Sequence, residues 1–194
     1  MSNYHALAYT IQPSEPFTER KTLKSLLDWN ANALHVFEPL QFQGSLHLDT
    51  GTKITVAEQV LRAAHVRYAW VTDRSGSRVG IVALQDLTSG KAVQLAHDLR
   101  VTHDEIEVNE LFTPLEQLPA VELKYLNKAT IGDVAITLQK TNASFLLVHN
   151  DDELMGVIPA LKIAEVTGES VRLAPMANSF ADLIHLVKPR AVIA

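Results

Sequence analysis

The sequence predicts an α/β protein, of the α+β kind in its ordering, built from two tandem βαββα repeats. Three observations carry this. A stretch beginning at Thr55 lies over one beginning at Thr130, each reads as a helix followed by two short strands, and a glycine, Gly80 or Gly156, sits at the same place in each second strand. The separation is 75 residues at Thr55/Thr130 and 76 at Gly80/Gly156, so one residue of slippage separates the copies.

Each copy opens with a threonine and an acidic residue three positions on, Thr55 to Glu58 and Thr130 to Asp133, which predicts an N-cap with a carboxylate in the first helical turn. Val56, Val60 and Ala63 recur at the spacing of one helical face, as do Ile131, Ala135 and Leu138, so each helix is expected to bury one side. Apolar runs follow, Tyr68 to Thr72 and Ser144 to Val148, which read as core strands. Polar turns at 73–77 and 150–152 lead into second strands, Arg78 to Val82 and Leu154 to Ile158, completing a hairpin in each copy. A second helix is expected to begin near Ala83 and Pro159. Proline suits a first helical turn, and Gly168 is placed to end the second of these helices.

Composition narrows the function classes. Of 194 residues, 47% are hydrophobic and 20% charged, which is ordinary globular composition. The formal charge of −5, with no run of Lys or Arg, argues against nucleic acid as a partner. The chain has no cysteine, which removes disulfides, thiolate nucleophiles and cysteine-bound zinc. No basic flank precedes an apolar stretch at the N-terminus and no run of about 18 apolar residues occurs, so no membrane partner and a cytoplasmic location are expected.

The strand, the acidic turn and the sequences Gly80-Ile81-Val82-Ala83-Leu84-Gln85-Asp86 and Gly156-Val157-Ile158-Pro159-Ala160-Leu161-Lys162 resemble the cystathionine β-synthase (CBS) domain, over about residues 45–168. The resemblance implies a stand-alone pair of repeats related by a pseudo-twofold axis, with clefts between them. Many such modules bind adenine nucleotides or S-adenosylmethionine and pass the signal to a partner, and many bind nothing known. The family's signature places a hydroxyl and, three residues later, a carboxylate where the second strand meets the second helix, the first to bond a phosphate and the second to accept the ribose hydroxyls. Here the first copy has Ala83 and Asp86, keeping only the carboxylate, and the second has Pro159 and Lys162, keeping neither. A further nucleotide-contacting threonine of the family falls at Ile54 and Ala129. Lys162 favours an anion in place of a ribose.

The candidate ligand-binding residues are therefore Asp86, Ala83, Ile54, Arg67, Tyr68 and Lys162. Asp86 either holds a ribose or steadies its helix through the dipole. Arg67 and Tyr68 stand where the family's first strand lines the cleft, to stack on a base or pair with a phosphate; the plain reading makes them a helix-end arginine and a half-buried tyrosine. Trp70, in mid-strand, reads as packing. The eight histidines are spread singly and form no metal-ligand pair, so no metal is expected. No Gly-x-Ser-x-Gly elbow, cysteine nucleophile or glycine-rich phosphate loop occurs, and no enzyme is expected.

Around the repeats, Ala92, Val93, Leu95, Ala96 and Leu99 predict a helix, and the residues from Thr102 to Glu105 a capping box. Val108 to Phe112 resembles the short segment that precedes the second repeat in this family, and Pro114 and Pro119 mark a linker. The organisation expected is an N-terminal extension at 1–44, a first repeat at 45–100, a linker with a short helix at 101–120, a second repeat at 121–168 and a C-terminal segment at 169–194. Leu23, Leu26 and Leu27 suggest a helix at one end, and Phe180, Leu183 and Leu186 one at the other. Such apolar ends, with the resemblance, imply a homodimer. The function expected is a non-catalytic regulatory or sensor module that binds AMP, ATP, S-adenosylmethionine or a related small ligand. The alternative is a dimeric scaffold for an unknown protein partner, its nucleotide site lost.

Overall fold

The computed structural model describes residues 26–40 and 45–171. The helix expected over Phe180, Leu183 and Leu186, and Leu23 of the N-terminal one, lie outside them; Leu26 and Leu27 are described and are not helical.

Two four-stranded sheets form, one per repeat. In the first, β2 (His47–Asp49) runs parallel to β3 (Tyr68–Thr72), which forms an antiparallel hairpin with β4 (Arg78–Ala83). Helix α1 (Ile54–Ala63) links β2 to β3, and β4 leads into the short helix α2 (Leu84–Leu87) and then α3 (Gly90–Leu99). The second copy repeats the order: β6 (Ala120–Glu122), the short α4 (Leu123–Leu126), α5 (Ile131–Thr141), β7 (Phe145–Asn150), β8 (Glu153–Pro159) and α6 (Ala160–Thr167). Gly168 ends α6 in the left-handed conformation at φ +77°, its N–H donating to the Ala164 carbonyl, as its sequence position predicted.

The fourth strand of each sheet comes from the segment preceding the other repeat. Glu38–Pro39, β1, lies before the first repeat but pairs with β8 of the second, Glu38 opposite Val157 and Pro39 opposite Gly156. Thr113–Pro114, β5, lies before the second repeat and pairs with β4 of the first. The exchange extends to the helix starts: the Ile131 N–H donates to Ala31 O at 2.9 Å, and the Ile54 N–H to Ile106 O at 3.0 Å. Residues 31–40 and the linker from Ile106 to Pro114 thus pack into the pair. Their kinship is written in the sequence as Phe37-Glu38-Pro39-Leu40 and Phe112-Thr113-Pro114-Leu115, 75 residues apart.

This exchange explains the two glycines. A Cβ on Gly80 would overlap the Phe112 ring and the Thr113 carbonyl oxygen, and one on Gly156 would overlap the Glu38 carbonyl oxygen, the Phe37 ring and the Pro39 backbone. Each glycine lets the other half's strand close onto the sheet.

The first helix departs from expectation in register. Its N-cap is Lys53, whose side chain makes no cap bond, so Thr55 is inside the helix. The buried face is Ile54, Ala57 and Leu61, while Val56 is 47% exposed and Ala63 lies on the surface. The second copy follows the prediction: the Thr130 hydroxyl accepts from Asp133 N–H at 3.2 Å, Asp133 Oδ2 accepts from Thr130 N–H at 2.9 Å, and Ile131, Ala135 and Leu138 are buried with Val134. Equivalent positions of the two helices are therefore Ile54/Ile131, Ala57/Val134 and Leu61/Leu138, a separation of 77, and the shorter second hairpin turn brings it to 76 at the glycines. The box at Thr102 forms, with Thr102 N–H and Oγ both donating to Glu105, but it opens one 3-10 turn, His103–Glu105.

Each repeat has its own core, and a third apolar cluster joins them: Trp70 and Ile81 from the first sheet, Phe145, Leu147 and Val157 from the second, flanked by Tyr68, Ala83, Leu40 and Leu115. Trp70 is 2% exposed at this seam, so packing accounts for it.

Candidate functional site

A cleft of about 800 Å³ lies between the repeats. Pseudo-equivalent residues enter it from both sides: Arg67, Tyr68, Ala83 and Asp86 from the first repeat, and Ser144, Phe145, Pro159 and Lys162 from the second. Two local devices place them. The strand-to-helix turns are fixed by backbone bonds across the hairpins, Leu84 N–H to Arg67 O and Ala160 N–H to Ser144 O, both 2.8 Å. The seam then sets the floor, where the Tyr68 and Phe145 rings meet edge to face with centroids 5.3 Å apart.

Of the six candidates, five line this cleft and one does not. Ile54 is fully buried in the first repeat's core, under α1, and drops out of the set. Ile54 begins the helix, and its side chain belongs to the buried face.

Asp86 is half-buried at the third position of α2, and its Oδ2 accepts from Ala83 N–H at 3.4 Å. Burial pushes its carboxyl above the usual range, opposed by that N–H and by the Lys91 charge. Among the described residues no cation lies within ion-pair distance of it. Ala83 offers only its backbone at the place where the family signature has a hydroxyl.

A residue that the signature does not mark also organises the site. Glu38, on the exchanged strand β1, accepts from the Tyr68 hydroxyl at 2.6 Å through Oε2, and its Oε1 lies 3.5 Å from Lys162 Nζ. Lys162 also faces Glu165 Oε2 at 3.4 Å. One carboxylate thus ties the pre-repeat segment to β3 of the first repeat and α6 of the second. Burial, reinforced by the Glu38 bond, holds the Tyr68 phenol far above its usual range, so it stays a donor. The lysine that the sequence suggested for an anion already has two carboxylate partners. The clue to Glu38 was the repeated Phe-x-Pro-Leu, which marks β1 as part of the module.

The remaining cations at the cleft are two arginines. Arg62 pairs with Glu58 one helical turn away, Nε to Oε1 at 2.8 Å, while Arg67 is exposed and makes no ion pair among the described residues. Among those residues no cluster of three or more His, Cys, Asp or Glu has the arrangement to hold a metal ion, and no helix is long and apolar enough to cross a membrane.

Comparison with known proteins finds likeness in three dimensions only. No family model matches the sequence, and no curated protein matches it. Among solved structures, an uncharacterized conserved protein from Pyrococcus horikoshii superposes with a TM-score of 0.53 at 16% identity, over 76% of this chain and 100% of that one. A CBS-domain containing protein from Agrobacterium tumefaciens gives 0.48 at 16% identity, over 63% of this chain and 83% of that one. The protein CBSX2, solved in complex with AMP, gives 0.46 at 20% identity, over 70% of this chain and 94% of that one. At such identities the likeness is one of fold.

Proposed function

We propose that the chain is a CBS-type pair of repeats, a non-catalytic regulatory module of the cytoplasm whose inter-repeat cleft takes an adenine nucleotide or a related small ligand. The observation that carries this reading is Asp86, a half-buried carboxylate without a cation partner among the described residues, facing a cleft of about 800 Å³. That volume falls within the ~300–1,000 Å³ of ordinary small-molecule sites. A carboxylate so placed is suited to accept both hydroxyls of a ribose, with the Tyr68 and Phe145 rings offering an apolar wall to the base. Because the cleft is walled by both repeats, a ligand bridging them favours one relative arrangement, and its differential affinity for that arrangement is the signal.

Calorimetric titration with AMP, ATP and S-adenosylmethionine tests the reading. Heat for at least one of them, lost in Asp86→Ala, supports it, and no heat for any of them refutes it.

A second reading is favoured by the Tyr68–Glu38–Lys162 network, which ties the two repeats together at the cleft. On that reading the pair is a dimeric scaffold, with Lys162 in the place of a ribose-binding carboxylate. That reading expects a homodimer, the commonest assembly of such chains. Light scattering on the purified protein is expected to give twice the 21.4 kDa chain mass, and a single-chain mass would overturn the dimer.

A further inference from the structure

We infer that the cleft discriminates against phosphorylated ligands, with Glu38 as the specificity-determining residue, so that it takes a neutral or cationic nucleoside in preference to the nucleotide. This deepens the reading above and rests on it.

A phosphate monoester brings a charge of about −1.5 to −2 and needs free N–H donors or unpaired cations to replace its water. The cleft has already used part of the first and most of the second. At the two strand-to-helix turns, the Leu84 and Ala160 N–H groups donate to backbone carbonyls and the Ala83 N–H points at Asp86. The positions that would add a hydroxyl hold Ala83 and Pro159. Lys162 lies between Glu38 and Glu165, and Arg62 is paired with Glu58. Arg67 is then the cleft's single lysine or arginine without an ion pair among the described residues, and it is exposed to solvent. Against it stand Asp86 and Glu38, two partly buried carboxylates that line the same cleft, each raising the cost of bringing a second negative charge into the space.

Glu38 carries the discrimination because it acts twice. Its charge repels a phosphate directly, and its Oε1 holds Lys162, the cleft's lysine among the described residues. The same two carboxylates do not oppose an uncharged ribose, whose hydroxyls donate to Asp86, nor a ligand with a cationic substituent in the phosphate's place.

Calorimetric titration of the full chain with adenosine, S-adenosylmethionine, AMP and ATP tests this. Adenosine or S-adenosylmethionine is expected to bind at least tenfold tighter than AMP, and AMP tighter than ATP. Glu38→Gln keeps the shape and still accepts from Tyr68, but removes the charge and frees Lys162; the adenosine-to-AMP affinity ratio is expected to fall by about tenfold or more. AMP or ATP binding the wild type as tightly as adenosine overturns this inference and leaves the nucleotide reading standing, as does a ratio unchanged in a folded Glu38→Gln. Should Glu38→Gln fail to fold, the wild-type order decides by itself. No binding by any of the four ligands overturns both.

Discussion

Replacing Gly156 with alanine tests the exchanged-strand architecture at its tightest point. The new Cβ would stand within 3.0 Å of the Glu38 carbonyl oxygen, the Phe37 ring and the Pro39 Cα, and two of these three are backbone atoms that no rotamer change can move. The chain has two ways to relieve the overlap. It can strain locally, at about 1–3 kcal/mol for an overpacked site. Alternatively it can release the two-residue strand β1, losing the Phe37 packing, which is comparable to a buried Phe→Ala at about 3–5 kcal/mol. The smaller route sets the result, so a loss of about 2–3 kcal/mol is expected, and the same for Gly80→Ala, where the Phe112 ring and the Thr113 carbonyl oxygen stand in the way. Gly90→Ala is the matched control: nothing lies within 4 Å of its Cβ position, at the first residue of α3, and a gain of up to about 1 kcal/mol is expected from helix propensity. Urea denaturation of the four proteins gives the comparison. Loss of less than about 0.5 kcal/mol in both Gly80→Ala and Gly156→Ala would show that the exchanged strands do not press on the sheets as described.

Four further outcomes follow from the same geometry. Trp70→Ala empties the centre of the seam between repeats and is expected to cost about 3–5 kcal/mol in thermal or chemical melts; a loss under about 1 kcal/mol would mean that the repeats do not depend on that contact. Tyr68→Phe removes the hydroxyl that donates to Glu38 and is expected to cost about 1–3 kcal/mol at pH 7, because a half-buried carboxylate loses a donor; an unchanged melting curve would count against the network. Asp86 has a raised folded-state pKa, so the folded protein holds that proton more tightly than the unfolded one. The stability from protonating it is fully present below about pH 4 and lost as pH rises through the raised value. Asp86→Asn is therefore expected to stabilise the unliganded protein at pH 7 and to make no difference near pH 3, and the opposite pH trend would contradict the burial. Asp133 is shifted the other way by Thr130: its contribution is present at neutral pH and lost as pH falls through the carboxylate's lowered value. Accordingly Asp133→Asn is expected to destabilise at pH 7 and not at pH 2.

The duplication was legible because it is carried by features with a local cause. Polar turns between apolar runs and the capping box at Thr130 follow from backbone chemistry that neighbouring residues determine; the glycine in each second strand is visible by its repeated position, though its cause is the other half's strand. The register of α1 was not legible, because Thr55 imitates a cap while the helix begins at Ile54 after an uncapped Lys53. Its start is set instead by a long-range bond, the Ile54 N–H to Ile106 O, which no local pattern announces. The candidate site divides in the same way. Asp86 and Lys162 stand out by position within a short signature, but what Lys162 does depends on Glu38, on a two-residue strand far away in the chain. Proximity of that kind is a product of topology, and it became readable only in retrospect, through the second Phe-x-Pro-Leu at Phe112.

The crossing of the outer strands also bears on how the chain is made. A ribosome that has synthesised only the first half cannot finish either sheet: the first needs Thr113–Pro114, not yet emerged, while Glu38–Pro39 waits for β8. The early product exposes one unpaired edge on β4 and keeps an unattached strand in reserve until the far repeat appears. The first sheet can close once Thr113–Pro114 has emerged and the second only once β8 has, and a cut between the halves ahead of Thr113 would leave two incomplete sheets, each able to recover its missing strand only from the other fragment.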